Sequence, residues 1–216
     1  MSEIKDPLIR TSTLRINSEE DLKNILENHR KWLGSKGKEG ACADLRFTNL
    51  YKTNLKGCNL AYADLQKAYL MGTEFEDACL IGANFKFAWA CNANFDGANL
   101  QKANFKYADL TAAAFINADL TDVNFENATC PGGFFMGAVF KNANFKRADL
   151  HYAEFKGATF EGANFQETDF QGSINYGEEN LPIDQLCKAK TLFKAELDDE
   201  ILDKIKNRCP RLLEKP

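Results

Sequence analysis

The sequence predicts an all-β solenoid, a chain wound in successive coils around a filled interior. Three observations predict it. A Leu or Phe stands at nearly every fifth residue from Leu45 to Phe170. A small residue, usually Ala, lies two positions before each of them, and a polar residue, most often Asn or Asp, lies between the two. A period of five fits neither the 3.6-residue period of an α-helix nor the two-residue period of a strand.

The repeat runs without insertion over residues 43–172, which divide into 26 units of five. Only Ala90 and Cys130 replace the central Leu or Phe, and both are apolar. We expect the central residue and the small residue before it to point inward, because a narrow interior would be overpacked by two large side chains. The other three residues should face outward. Glycine recurs at the fifth position, which suits a corner with positive φ, at Gly57, Gly97, Gly137, Gly157, Gly162 and Gly172.

This pattern resembles the pentapeptide-repeat family, whose consensus is a small residue, Asp or Asn, Leu or Phe, and then two polar or small residues. The first units here are ADLRF, TNLYK, TNLKG and CNLAY. The resemblance implies a right-handed quadrilateral parallel β-helix with four units per coil, so the 26 units would form about six and a half coils. At a strand spacing of roughly 4.8 Å the rod would be about 30 Å long.

Four units per coil impose a period of twenty, which sorts the central residues into four columns. Phe fills two opposite columns and smaller residues fill much of the others, an alternation of large against small across the interior. One Phe column runs from Phe85 to Phe165 and the other from Phe75 to Phe155. A column of asparagines lies beside the first, and we interpret it as a ladder of stacked amides, at Asn84, Asn104, Asn124, Asn144 and Asn164.

The segments 1–42 and 173–216 lie outside the repeat, and the open strand edges of a solenoid need caps. Ser18 followed by Asp21 resembles a capping box, and apolar residues then follow at helical spacing, which predicts a helix over about 18–33 with Gly34 as its C-terminal cap. Residues 8–16 could form a strand nearby. After the repeat we expect a short helix from about 181 to 187 and a second over about 198–208. These helices either cover the last coil or, as in some members of the family, form a homodimer.

The bulk composition excludes several classes of protein. The net charge of −4 gives no overall attraction to nucleic acid or to a membrane surface, so we expect no direct nucleic-acid binding. The first twenty residues lack the apolar core of a signal peptide, and no apolar run is long enough to span a bilayer. We therefore expect a cytoplasmic protein. The seven cysteines are odd in number and form no CxxC, which favours free thiols over disulfides or a zinc site.

No motif points to catalysis. The chain has two histidines, His29 in the predicted cap helix and His151 on the outside of the rod, and they are not placed to share a metal. No Ser/His/Asp order, phosphate-binding loop or dinucleotide motif stands out. A filled rod also leaves little room for a catalytic cleft. The sequence therefore predicts a protein that is not an enzyme and has no cofactor or metal.

Outward aromatic residues are the best indication of a function. The twenty-residue period places Phe47, Phe87 and Tyr107 in line at one corner, with Tyr51, Tyr69 and Trp89 on or beside the adjacent side. Clusters of outward apolar side chains usually mark an interface. We therefore predict a protein–protein interaction module for an unknown partner. The alternative is that the N-terminal segment folds back over these residues.

The resemblance supplies a second functional hypothesis. Some pentapeptide-repeat proteins protect DNA gyrase by resembling the DNA duplex in shape and negative charge. The repeat here carries fifteen acidic and eleven basic residues, but Arg46, Lys86, Lys106 and Lys146 interrupt any acidic stripe on the first side. DNA mimicry is thus the disfavoured alternative, and a purely structural role is a third.

Overall fold

The computed structural model describes residues 18–173 and 181–216, so the strand expected at 8–16 lies outside the described residues. Parallel bridges join each coil to the next at a constant offset of twenty residues, from Asp44–Asp64 through Asp149–Asp169. Sides of five residues with an offset of twenty give four sides to each coil. Parallel connections of this kind are right-handed in almost every known case. The protein is the right-handed quadrilateral β-helix that the sequence predicted.

One pattern of backbone hydrogen bonds builds every side. The N–H of Leu45 donates to the carbonyl of Asp64 at 2.7 Å, and the N–H of Asp64 donates back to the carbonyl of Ala43 at 2.9 Å. Each side therefore contributes a single bridging residue, and the strands are minimal. The fifth residue of every unit from Phe47 to Gly172 has a positive φ. The corner conformation that the glycines indicated is thus shared by all units, although many of these residues are not glycine.

The polar residue before the central position has a structural task. Its side-chain oxygen accepts a hydrogen bond from the backbone N–H two residues later, as in Asn54 with Lys56 at 3.0 Å. This local bond stabilises the corner and explains the preference for Asn and Asp. The predicted asparagine ladder is present in two stretches, Asn84–Asn104 and Asn124–Asn164, and among the described residues no amide hydrogen bond joins Asn104 to Asn124. The Nδ2 of Asn144 donates to the Oδ1 of Asn124 at 3.2 Å. The Nδ2 of Asn164 donates to the Oδ1 of Asn144 at 3.0 Å.

The interior consists of stacked phenylalanine rings. Phe85 and Phe105 lie parallel with centroids 4.5 Å apart, and Phe95 of the opposite column meets Phe105 edge to face at 5.6 Å. Both arrangements are favourable for aromatic pairs. The central residues of the repeat are buried throughout, which confirms the predicted division between inside and outside. Where a hydroxyl replaces Ala in the interior it is hydrogen-bonded, as in Thr73 to the carbonyl of Leu50 at 2.7 Å.

Helix α1, Glu19–Gly34, covers the first coil. It begins where Ser18 accepts a hydrogen bond from the N–H of Asp21 at 3.1 Å. Its C-terminal cap is Ser35, whereas the sequence suggested Gly34, which is instead the last helical residue. The imidazole of His29 is buried, and its Nδ1 accepts a hydrogen bond from the N–H of Ala43 at 3.0 Å. This bond fastens α1 to the start of the repeat.

At the other end the solenoid continues past the predicted boundary at residue 172. Asn164 bridges to Thr191 and Asp169 bridges to Glu196, an offset of 27 residues. This coil is seven residues longer than the others and contains helix α2, Ile183–Leu186. The repeat pattern does not predict this last coil, because Lys190 occupies the position at which the repeat has a small residue. Leu192 nevertheless occupies the buried central position.

Helix α3, Asp199–Arg208, closes this end of the rod and buries Ile201 and Ile205. A short 3₁₀-helix follows at Pro210–Leu213. The N–H of Leu192 donates to the carbonyl of Leu212 at 2.7 Å. A backbone donor at the last edge thereby obtains a partner within the chain.

Two cysteines form a disulfide, Cys187 with Cys209, with their Cα atoms 5.7 Å apart. The prediction of free thiols was wrong for this pair. The count and spacing of cysteines carried no information on proximity, because the two lie 22 residues apart and meet only when α2 and α3 pack together. Disulfides persist in oxidising compartments, so the cysteines no longer support a reducing one. The free thiols are Cys42, Cys58, Cys79, Cys91 and Cys130.

Candidate interaction surface

The six aromatic residues singled out in the sequence lie on the outside of successive coils near one corner. Phe47, Phe87 and Tyr107 occupy the fifth position of their units, each with a positive φ that turns the chain at the corner. Their side chains are 43%, 38% and 44% exposed. On the adjacent side Trp89 is 41% exposed and bridges to Tyr69 of the preceding coil. Tyr51 is exposed to a similar degree, whereas Tyr69 is half-buried.

Four of these rings contact one another in two pairs. Phe87 and Tyr107 stack with centroids 5.1 Å apart and their planes 6° from parallel. Tyr51 and Tyr69 stack at 6.1 Å. The hydroxyl of Tyr69 contacts the Sδ of Met71 at 3.4 Å. One face of each of these four rings is therefore used within the protein, whereas Trp89 stacks on no ring among the described residues.

Lysines lie over the same rings, a feature that sequence reasoning missed. The Nζ of Lys67 lies 5.4 Å from the ring of Phe47 and 5.9 Å from that of Phe87. The Nζ of Lys86 lies 5.0 Å from the ring of Phe87. These distances are typical of cation–π contacts. The signal was present in the fifth-position column, which reads Phe47, Lys67, Phe87, Tyr107 along the rod.

We call this surface the corner strip. It comprises the six aromatic residues together with five cationic ones, namely Arg46, Phe47, Tyr51, Lys52, Lys67, Tyr69, Lys86, Phe87, Trp89, Lys106 and Tyr107. The segments 46–52, 66–72 and 86–92, which form it in the first three coils, contain no Asp or Glu. The corner strip is thus aromatic and positively charged, although the whole protein is acidic.

Some of these cations are already neutralised. Arg46 bonds to Asp44 at 2.8 Å, and this carboxylate raises the pKa of the guanidinium. Lys106 pairs with Glu126 at 2.8 Å, which likewise raises the pKa of the lysine. Within residues 18–173 and 181–216, by contrast, Lys52, Lys67 and Lys86 form no ion pair. Three ammonium groups of the corner strip therefore have no carboxylate partner among the described residues.

The opposite corner has the opposite character. Glu74, Glu76, Asp77 and Asp96 lie there, with Lys56 bound to Glu76 at 2.6 Å and to Glu74 at 3.5 Å. Lys56 lowers the pKa of Glu76, while burial raises the pKa of Asp96. We call these four acids the acidic corner. Charge is therefore divided around the circumference of the rod.

A second group of outward apolar residues lies farther along the rod. Phe134 and Val139 are 36% and 40% exposed, with Ile116 and Met136 half-buried beside them. Sequence reasoning missed this group because Phe134 precedes Phe135 and reads as part of an ordinary unit. The available signal was an apolar residue at a position where Asn or Asp is usual.

A model of the family described as Pentapeptide repeats matches the chain in eight copies, over residues 41–77, 78–115, 118–151 and 140–174. These matches cover more than half of the chain. The chain belongs to the pentapeptide-repeat family.

Solved structures of other pentapeptide-repeat proteins are similar in fold. HetL, involved in heterocyst differentiation regulation in the cyanobacterium Nostoc, is 21% identical, with 66% of this chain and 76% of that chain covered and a TM-score of 0.45. QnrB1, a plasmid-mediated fluoroquinolone resistance protein, is 20% identical over 77% and 89%, with a TM-score of 0.46. Rfr23 of the cyanobacterium Cyanothece is 18% identical over 69% and 91%, with a TM-score of 0.33. No curated protein sequence matches the chain.

Reactive groups on this pentapeptide-repeat rod are few and dispersed. His151 lies near Asp169, with Nδ1 3.8 Å from the carboxylate. Burial and Asp109 raise the pKa of Cys91 to about 11, which leaves little nucleophilic thiolate at neutral pH. In the part of the chain that the structure describes, no three His, Cys, Asp or Glu side chains gather as metal ligands would, and no helix is long and apolar enough to cross a membrane.

Proposed function

We propose that this pentapeptide-repeat protein is a non-catalytic scaffold that binds another protein through the corner strip. The observation that carries the proposal is the row of outward aromatic residues on the first four coils, among them Phe87, Trp89 and Tyr107. Aromatic side chains supply large contact area at small entropic cost, and they are enriched at the centres of interfaces. The paired rings hold one another in place, so little side-chain freedom is lost on binding.

The rest of the rod supports a role in binding rather than in chemistry. Phenylalanine rings fill its interior, so substrate has no cleft to enter there. The buried thiol of Cys130 has a pKa raised by desolvation, which leaves it without nucleophilic character. The small, polar and central positions of each unit serve packing and turn formation. Specificity therefore falls to the outward residues that those tasks do not use.

Site-specific photo-cross-linking tests the proposal. A benzoylphenylalanine is placed at Tyr107 in one protein and at Tyr62 in a matched control, and both are expressed in the native cell. Tyr62 is also an exposed fifth-position residue with a positive φ, but it lies on another corner. We expect a defined protein adduct from Tyr107 that is absent from Tyr62.

The adduct should also depend on the aromatic surface. Trp89→Ser should abolish it without altering the circular dichroism of the rod, because Trp89 is outward and the interior is unchanged. The same adduct from both positions, or from Tyr62 alone, would refute the proposal. So would an adduct that persists at full yield in the Trp89→Ser protein.

A further inference from the structure

We infer that the partner of this scaffold docks through an extended acidic segment that presents Asp or Glu and apolar side chains on the same face. The inference rests on the proposed function and names the chemistry of the partner. Its basis is that outward aromatic rings lie beside ammonium groups with no carboxylate partner in residues 18–173 and 181–216. An occupant of the corner strip has to satisfy both features at once.

The charge of the corner strip selects an acidic occupant. Lys52, Lys67 and Lys86 lack ion pairs among the described residues, and the segments 46–52, 66–72 and 86–92 contain four basic residues and no acidic one. Such a surface attracts carboxylates and repels a basic segment. Each lysine also lies against a ring, which orients its ammonium group beside the apolar surface. Acidic and apolar groups of a partner would therefore be bound next to each other.

The same charge disfavours the N-terminal segment of this chain as the occupant. Residues 1–17 carry Lys5, Arg10 and Arg15 against Glu3 and Asp6, a net positive charge. Bringing this segment onto the lysines of the corner strip would set like charges together. A separate acidic chain has no such penalty.

The ring geometry disfavours nucleic acid. Single-stranded nucleic acids are bound by stacking of bases on free aromatic faces. Here Phe87 and Tyr107 stack on each other at 5.1 Å, and lysines lie over the rings of Phe47 and Phe87. Rings whose faces are occupied in this way suit the aliphatic and aromatic side chains of a peptide better than they suit bases. Three ammonium groups without an ion pair in the described part of the chain are also few for a polyphosphate chain.

The repeat sets the spacing that the partner must match. Lys67 and Lys86 belong to successive coils, which are separated by roughly 4.8 Å along the rod. In an extended segment lying along the axis, side chains on one face recur every ~6.8 Å. Because successive side chains of an extended segment point to opposite faces, an acidic residue and an apolar residue two positions apart would face the corner strip together, one at an ammonium group and the other at a ring.

The inference is tested with the full chain and defined probes by fluorescence anisotropy. The probes are a labelled octapeptide in which Glu and Phe or Leu follow each other at every second position with Ser between them, the same peptide with Lys in place of Glu, and a labelled oligothymidylate. We expect the Glu peptide to bind, and to bind more weakly as ionic strength rises, since exposed charges are screened. The Lys peptide and the oligothymidylate should bind at least tenfold more weakly.

A charge reversal locates the site. Lys67→Glu with Lys86→Glu should weaken binding of the Glu peptide at least tenfold. The matched control is Lys102→Glu with Lys141→Glu, which reverses the same number of charges at the same two unit positions on another corner. It should leave binding within twofold of the unsubstituted protein.

Several outcomes overturn the inference. The inference is wrong if the Glu peptide does not bind or if the Lys peptide binds equally well. It is also wrong if the control reversal weakens binding of the Glu peptide as much as the reversal in the corner strip does. If oligothymidylate binds more tightly than the Glu peptide, and the Lys67→Glu/Lys86→Glu reversal abolishes that binding, the ligand of the corner strip is a nucleic acid. If the protein self-associates in a salt-sensitive way and the same reversal abolishes this, the occupant of the corner strip is the acidic corner of a second copy.

The cross-link distinguishes this inference from the proposed function. If the adduct at Tyr107 persists in the Lys67→Glu/Lys86→Glu protein, the inference of an acidic segment is refuted, but the proposed interface is not. If the adduct is absent from the unsubstituted protein, both the proposed interface and the acidic segment are refuted.

Discussion

Replacing Phe105 by Ala measures what the stacked interior contributes to stability. Phe105 is fully buried, stacks on Phe85 at 4.5 Å and on Phe125 at 5.1 Å, and meets Phe95 and Phe115 edge to face at 5.6 and 5.9 Å. Burying a Phe side chain is worth about 1.5–3 kcal/mol. Each aromatic pair adds roughly 0.5 kcal/mol or more beyond its buried area.

These contributions set the expected loss. Backbone bridges hold the coils at a fixed spacing, so the neighbouring rings cannot close the gap, and a cavity remains. We expect the free energy of unfolding to fall by about 3–5 kcal/mol, the range found for Phe→Ala in well-packed cores. Urea unfolding followed by circular dichroism measures this change. In a repeat protein the unfolding transition needs two probes, one near each cap, because coils can separate into independent units.

Phe134→Ala is the matched control. It makes the same chemical change at an outward residue that is 36% exposed, and it should cost under about 1 kcal/mol. Phe105→Leu should lie between the two, since Leu fills the equivalent position elsewhere in the column. A loss under about 1 kcal/mol in Phe105→Ala would refute the assignment of this column to the interior. An equal loss in Phe105→Ala and Phe134→Ala would refute it as well.

Four further predictions follow from other parts of the rod. Burial lowers the pKa of His29, so the folded protein favours the neutral imidazole. The free energy of unfolding should therefore be largest above the ordinary histidine pKa of about 6.5 and should fall as the pH drops below it. His29→Gln should flatten this dependence in urea titrations between pH 5 and 8. Serine at both Cys187 and Cys209 should lower the free energy of unfolding by roughly 3 kcal/mol, as expected for a loop of this length, and a reductant should then have no effect on the midpoint. Gly57→Ala should cost about 1 kcal/mol in the same assay, because φ is 64° while nothing lies within 4 Å of the added carbon; no loss would mean that this corner relaxes. In a gyrase supercoiling assay with a quinolone we expect no protection at saturating protein, and clear protection would restore DNA mimicry.

The regular part of the fold was readable because its information is local. Each unit specifies its own inward residue, its turn-forming Asn or Asp and its corner, so phase errors do not accumulate between Leu45 and Phe170. The twenty-residue period then predicts that the ring of Phe105 contacts its neighbours in the same column. The α1 helix was equally accessible, because Ser18 and the apolar spacing that follows mark its start.

The remainder depended on contacts that no local pattern encodes. The bridge from Asn164 to Thr191 follows a longer coil and a unit in which Lys190 replaces the small residue, so the repeat was not recognised there. The pairing of Cys187 with Cys209 depends on how two helices pack. The six aromatic residues of the candidate surface were found from the columns. In the sequence, Lys86 and Lys106 only interrupt an acidic stripe and Lys52 and Lys67 fit no pattern, because the contacts of these lysines with the rings exist only in three dimensions.

The corner conformation has a consequence for how such a protein can change over time. Every fifth residue takes a positive φ, yet Phe47, Lys67, Ala112, Asn127 and Arg147 all occupy that position. The corner therefore tolerates almost any side chain, at a cost that Asn and Asp reduce and that the rest of the coil absorbs. None of these side chains is needed to fill the interior. A lineage can consequently exchange one binding partner for another by substitutions along a single column, with the inherited core left untouched.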